Sequence, residues 1–209
     1  MSQWLNLNNQ KKSMSFRKEI KLLLDPRKSF DFKEMILQKG AITLYPKRDI
    51  SSLYFDNSFK KCHKDSIEGS LPRKKIRIRT YPGEKNKIYL LEKKISSPEG
   101  RYKSSLKIST KYCNKITKYG YFDRAYGILF PVIYVNYSRE YYKFKNFRIT
   151  IDKKINYSLY KRKTTKQDTK SVIEIKFNQK DNENLIINSF TNKITRFSKY
   201  SNGIQLFNL

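Results

Sequence analysis

Residues 73–81 read RKKIRIRTY, and within them Arg73, Lys75, Arg77 and Arg79 fall on every second position with Ile76 and Ile78 between them. Successive side chains of a β-strand point to opposite faces, so a strand here carries cations on one face and isoleucines on the other. The alternation returns as Glu92 and Lys94 in LLEKK (90–94), as Arg148, Thr150 and Asp152 in FRITID (147–152), and as Glu174 and Lys176 in VIEIKF (172–177). One such strand is explained by the wet side of a half-buried sheet. Repetition along the chain instead predicts an α+β, mainly β domain: an antiparallel sheet closed into a barrel, polar and basic inside, with a few flanking helices. Such an interior needs a polyanion to fill it.

The composition agrees. Lys and Arg total 46 against 18 Asp and Glu, a net charge of +28 that calls for nucleic acid, polyphosphate, nucleotide or an anionic membrane surface as partner. Aromatics make up 14% of the 209 residues, too many for a disordered basic tail. The expected organisation is a tail over residues 1–15 and one domain over 16–209. No window approaches the ~20 apolar residues of a membrane span and residues 1–15 lack a secretory apolar run, so the chain reads as cytoplasmic. Cys62 and Cys113 have neither metal-ligand nor redox spacing and read as reduced structural thiols. His63, the single histidine, reads as solvated in a charged loop, so no Ser-His or Cys-His machinery is available.

Strands are expected at 16–24, 49–56, 73–81, 87–95, 101–109, 131–141, 146–153, 171–178 and 194–200. Helices are expected at 30–38, stopped by Gly40, and near 115–129. Asp25-Pro26, Pro82-Gly83 and Pro98-Glu99-Gly100 mark turns, and KRKTTKQDTK (161–170) reads as a mobile basic loop.

Taken in order, RKEIKLLL, SSLYFDN, KIRIRTY, LLEKK, PVIYVNYSREYY, FRITID, VIEIKF and RFSKYSNGI resemble the VTC domain, a polyphosphate polymerase family of the triphosphate tunnel superfamily that also holds CYTH enzymes and RNA triphosphatases. The resemblance runs from about residue 16 to about residue 206. It implies a β-barrel tunnel in which basic residues bind a nucleoside triphosphate and a growing polyphosphate chain. Residue by residue, it implies catalytic roles for Arg77, Arg79, Lys94 and Arg139. Phosphate contacts are implied for Lys21, Lys75, Lys103, Tyr137, Arg148, Lys176, Arg196, Ser198 and Lys199, and metal binding for Glu174, with Glu19 and Glu92 on matching strands. After the Glu-x-Lys strand many members carry consecutive basic residues; this chain has RYKSSLKIS, where Lys103 stands in. The family's remaining basic contact near 60–66 has no assignment.

The chemistry can be argued without the name. Phosphoryl transfer is mostly positioning plus electrostatic stabilisation, which arginine forks on neighbouring strands supply. Glutamates on a phosphate-binding face repel the ligand unless a cation intervenes, and Mn²⁺ or Mg²⁺ meets that need. The alternative is that Glu19, Glu92 and Glu174 only neutralise neighbouring lysines and arginines. Asp56 and Asp152 read as structural partners of tunnel arginines, and Tyr54 and Tyr137 as phosphate-orienting or wall-filling. The favoured function is ATP-dependent polyphosphate synthesis. Hydrolysis or cyclisation of a triphosphate is the second reading, weakened because RKEIKL offers only Glu19-x-Lys21 where cyclases and thiamine triphosphatases usually carry ExExK. A non-catalytic polyanion-binding module, with nonspecific nucleic-acid or anionic-membrane contact, is the third.

Overall fold

The computed structural model describes residues 13–14, 17–178 and 194–208. In chain order these form β1 (Ser13–Met14), β2 (Arg17–Leu24), α1 (Pro26–Gln38), β3 (Ile42–Asp56), α2 (Lys61–Glu68), β4 (Arg73–Thr80), β5 (Tyr89–Ser97) and β6 (Gly100–Ile108). There follow α3 (Thr110–Tyr119), β7 (Tyr121–Asp123), β8 (Gly127–Phe144), β9 (Phe147–Leu159), β10 (Thr165–Gln167), β11 (Ser171–Asn178) and α4 (Lys199–Leu206). The main sheet runs β1-β6-β5-β4-β3-β8-β9-β11-β2, with β10 added to β9 and β7 to β8. Every pairing is antiparallel.

The expected closed barrel is corrected at one seam: among the described residues no ladder joins β6 to β2. The two edges are nevertheless held together. β1 lies on one edge and β2 on the other, yet Met14 and Arg17 are three residues apart in the chain, at most ~11 Å. Across the interior Lys94 of β5 reaches Glu19 of β2 at 3.8 Å. The sheet thus curls into a tunnel whose seam is spanned by side chains.

The alternation sorts side chains as the sequence suggests. Ile20, Leu22, Ile149, Ile151, Ile173 and Ile175 are buried with Phe32 and Ile36 of α1 on the outer face of β2, β9 and β11. A second core joins Ile76, Ile78, Ile133 and Tyr157 to Tyr200 and Ile204 of α4. With the isoleucines turned outward, the charged positions between them point inward.

Several boundaries differ from expectation. α1 begins at Pro26, whose missing N–H costs nothing at the first helical position, so Asp25-Pro26 opens a helix as well as ending a strand. β3 starts before residue 49 because Pro46 is absorbed in a register shift between Tyr45 and Arg48. α3 lies earlier than 115–129: Ser109 accepts the Tyr112 amide at 3.1 Å to start it, and Gly120, at φ 88°, ends it. Residues 121–123 then form β7, and 127–129 open β8. α2 was not foreseen. The strand expected at 194–200 reduces to one bridge, Ile194 to Leu22, after which Ser198 caps α4. Part of the basic loop, 165–167, pairs with β9 as β10.

Candidate active site

Cross-strand register assembles the inward charges into rows. Tyr54, Arg77 and Glu92 lie opposite one another on β3, β4 and β5; Lys75, Lys94 and Lys103 do so on β4, β5 and β6. On the other wall Thr150, Glu174 and Lys21 form one row, and Arg148, Lys176 and Glu19 the next. Arg139 faces Asp152 across β8 and β9.

The first wall is organised by Glu92, which is 3% exposed. One oxygen accepts from Arg77 Nε at 2.7 Å and lies 3.6 Å from Arg79 Nε, while the other meets Lys103 Nζ at 2.7 Å. Burial opposes its charge, but these cations outweigh burial and hold the carboxyl at about 2. Arg77 also donates to the Tyr54 hydroxyl at 2.7 Å. Burial alone would raise the Tyr54 phenol; Arg77 and Arg79 lower it instead. Arg79 donates to the Tyr137 hydroxyl at 3.3 Å, and its Nε has no hydrogen-bond partner.

The second wall is organised by Asp152, fully buried, which takes Arg139 through Nε at 2.5 Å and Nη2 at 2.7 Å and Lys199 at 2.5 Å. The carboxyl is held below its ordinary range because these cations overcome its burial. The Arg139 guanidinium and the Lys199 ammonium both lie over the Tyr137 ring, at 5.3 and 4.8 Å, so that ring braces two cations instead of merely filling the wall.

The same wall carries two more carboxylates. Glu19 meets Lys21 at 3.0 Å and lies 3.8 and 3.9 Å from Lys94 and Lys176; Glu174 meets Lys176 at 2.9 Å. Burial and the Glu174 charge push the Glu19 carboxyl up, and Lys21, Lys94 and Lys176 bring it net down. Glu174 is held well below the usual range, its burial outweighed by Lys176 and Arg139. Glu19 and Glu174 are near enough to repel, a repulsion that a divalent cation between them relieves. Among the described residues no cluster of three or more His, Cys, Asp or Glu could hold a metal. Two carboxylates are a donor set that a hard divalent ion accepts when phosphate and water supply its other ligands.

Lys75 closes one side by donating to Ser198 Oγ at 2.9 Å. Burial, then Lys21, Lys94, Arg73 and Arg77, lower its ammonium to about 7. Ser198 also accepts the Ser201 amide at 3.3 Å, and the Phe197 carbonyl accepts Lys21 Nζ at 3.0 Å, so the chain entering α4 is stitched into the tunnel. In all, Lys21, Lys75, Arg77, Arg79, Lys94, Lys103, Arg139, Lys176 and Lys199 face Glu19, Glu92, Asp152 and Glu174. Cations exceed carboxylates by five, which suits a multiply charged phosphate chain.

Two expected contacts stand apart. Arg148 is exposed, its guanidinium 5.8 Å from the Tyr45 ring at the tunnel mouth, and Arg196 is exposed ahead of α4. Among the described residues Asp56 pairs with no tunnel arginine. It accepts the amides of Asn57, Cys62 and His63 at 2.8–3.0 Å, capping α2, and takes the Tyr200 hydroxyl at 2.5 Å. His63 is accordingly buried, 7% exposed, not solvated. Both cysteines are buried and free, as expected, with thiols raised by burial. Tyr200 was missed; it stacks on Tyr54 at 5.1 Å and so supports Arg77 from behind. Only its place beside Ser198-Lys199 could have signalled it.

Solved structures share this architecture. A candidate adenylate cyclase from Bacillus halodurans superposes with a TM-score of 0.60 at 18% identity, over 94% of this chain and 98% of the other. A candidate adenylyl cyclase from Hippeastrum, described as having a dominant triphosphatase activity, gives 0.55 at 13% identity over 90% and 94%. The PH1819 protein from Pyrococcus horikoshii gives 0.55 at 16% over 91% and 99%. No curated protein sequence matches the chain. The model of the VTC domain matches residues 16–126 and 118–208. A triphosphate tunnel fold with this match over nearly its whole length places the chain in the VTC domain family.

Proposed function

We propose that the protein is a metal-dependent polyphosphate polymerase that moves the terminal phosphate of ATP onto a growing polyphosphate chain inside the tunnel. The observation that carries this reading is the pairing of an excess of five inward cations with two carboxylates, Glu19 and Glu174, in a chain of this family.

In the reaction a terminal oxygen of the polyphosphate chain bonds to the γ-phosphorus. The bond from that phosphorus to the β–γ bridging oxygen breaks, its electrons leave with ADP, and the chain is one phosphate longer. The attacking oxygen is already an anion, so no general base is needed; the only histidine lies on α2 against Tyr200, with ring centres 6.1 Å apart. Arg77, Arg79 and Arg139 hold the transferring group in line and absorb the charge that spreads over its oxygens. Glu92 and Asp152 fix those arginines and are positioning residues. Lys103, Lys21, Lys75, Lys94, Lys176, Lys199 and Ser198 hold phosphates along the tunnel, and Arg148 and Arg196 guide the chain at its mouths. Glu174 with Glu19 would hold Mn²⁺ or Mg²⁺, which supplies charge neutralisation on phosphate oxygens.

The test is purified protein with ATP and Mn²⁺, assayed for ADP and for polyphosphate on a gel. Equimolar ADP and chain phosphate are expected. ADP and free phosphate without chain would make water the acceptor, and 3′,5′-cyclic AMP with pyrophosphate would indicate cyclisation.

A further inference from the structure

The β7–β8 hairpin carries apolar side chains that no helix among the described residues covers. Phe122 is 67% exposed and lies directly opposite Ile128, 53% exposed; Phe130, 48% exposed, follows Ile128 on the same face. Tyr119, 64% exposed, ends α3 just before the hairpin. The group is braced from below. Gly120 sits so close that a Cβ there would lie 2.5 Å from Ile128 Cγ2 and 3.2 Å from Phe130 Cε1, so backbone packs directly beneath these side chains and they stand as a ridge.

The exposed charges of the segment that carries this ridge have one sign. From Ser109 to Phe130 the cations are Lys111, Lys115, Lys118 and Arg124, all exposed, and the single carboxylate, Asp123, is buried and bound to Lys74 Nζ at 2.8 Å. Lys118 lies over the Tyr119 ring at 5.0 Å, where an interfacial lysine would stand with its ammonium toward headgroups.

We propose that this ridge docks the protein on an anionic lipid surface. Apolar side chains that project beyond a cation-only rim match a bilayer whose headgroups are negative and whose acyl region begins just below them. A bound peptide would need a groove or a free strand edge, and β7, three residues long, offers too little edge. The +28 charge of the chain draws it toward any polyanion, while the ridge adds an attachment that charge alone does not give.

The test is co-sedimentation of the full chain with phosphatidylcholine vesicles, with and without phosphatidylserine, for the wild type and for Phe122→Ser/Phe130→Ser. Wild type should bind only the phosphatidylserine vesicles, and the double variant should bind them about tenfold more weakly while tripolyphosphate binding, read by calorimetry, stays the same. In a Trp4→Phe/Phe122→Trp variant the new indole should shift to the blue on those vesicles and not on soluble heparin. Equal binding by wild type and double variant would overturn the proposal and leave only diffuse charge. So would an unshifted indole, or a ridge-dependent dimer in sedimentation without vesicle binding.

Discussion

Lys75 is the tunnel cation that meets no carboxylate among the described residues, and burial with four cationic neighbours brings it to about 7. In the unfolded chain a lysine titrates near ~10.4. A lowered lysine makes the folded state hold fewer protons than the unfolded one between those values, so its contribution to stability rises with pH across that window. A triphosphate reverses the local charge and restores the ammonium. Binding should therefore draw in about half a proton near pH 7 and about nine-tenths near pH 8, and affinity should fall up to about tenfold per unit above 7. Lys75→Met removes the titrating group and with it this uptake. Calorimetry of tripolyphosphate binding in two buffers of different ionisation enthalpy measures it, and the difference between wild type and variant cancels the ligand's own titration. Identical uptake in the two proteins at pH 8 would refute the reasoning, by showing that Lys75 stays charged in the empty tunnel or does not face the ligand.

Glu174→Gln should abolish turnover of ATP and leave tripolyphosphate affinity largely intact, because the cations remain; kinetics across a Mn²⁺ series and calorimetry separate the two. Arg77→Ala and Arg139→Ala should each lower turnover ~100-fold or more, since a confined phosphoryl group has no water to replace the lost donor. Neutralising Lys161, Arg162, Lys163 and Lys166 should leave ATP turnover nearly unchanged and flatten the salt dependence of long-polyphosphate binding. Asp152→Asn strands two cations on a fully buried partner and should cost about 3–5 kcal/mol in denaturant unfolding. Gly203→Ala would put a methyl 2.6 Å from Tyr157 Cδ1 and 2.8 Å from Ile133 Cδ1, and the overpacking beneath α4 should cost about 1–3 kcal/mol.

The inward charges were legible because period-two alternation survives wherever one face is buried: Arg77 and Arg79 against Ile76 and Ile78, Glu174 and Lys176 against Ile173 and Ile175. Helix ends were less so. α2 carries Lys61, Cys62, His63, Lys64 and Asp65 with weak apolar periodicity, and it is started from a distance by Asp56, a residue that local pattern assigns to a strand. Ser198-Lys199-Tyr200 reads as strand by composition, yet Ser198 Oγ captures the Ser201 amide and turns it into a helix start. Which cations each carboxylate meets could not be read from spacing at all. Glu19 and Glu92 occupy equivalent strand positions, and only the folded register gives Glu92 two arginines and Lys103, and gives Glu19 three lysines and a second carboxylate, Glu174, nearby.

On this reading phosphate binds inside the tunnel and not on the basic surface. A crystal structure with Mn²⁺ and a non-hydrolysable ATP analogue tests it most directly. The account predicts phosphate density between Arg77, Arg79 and Arg139, with an anomalous manganese peak beside Glu174. Phosphates on the 161–170 segment with an empty tunnel would contradict it.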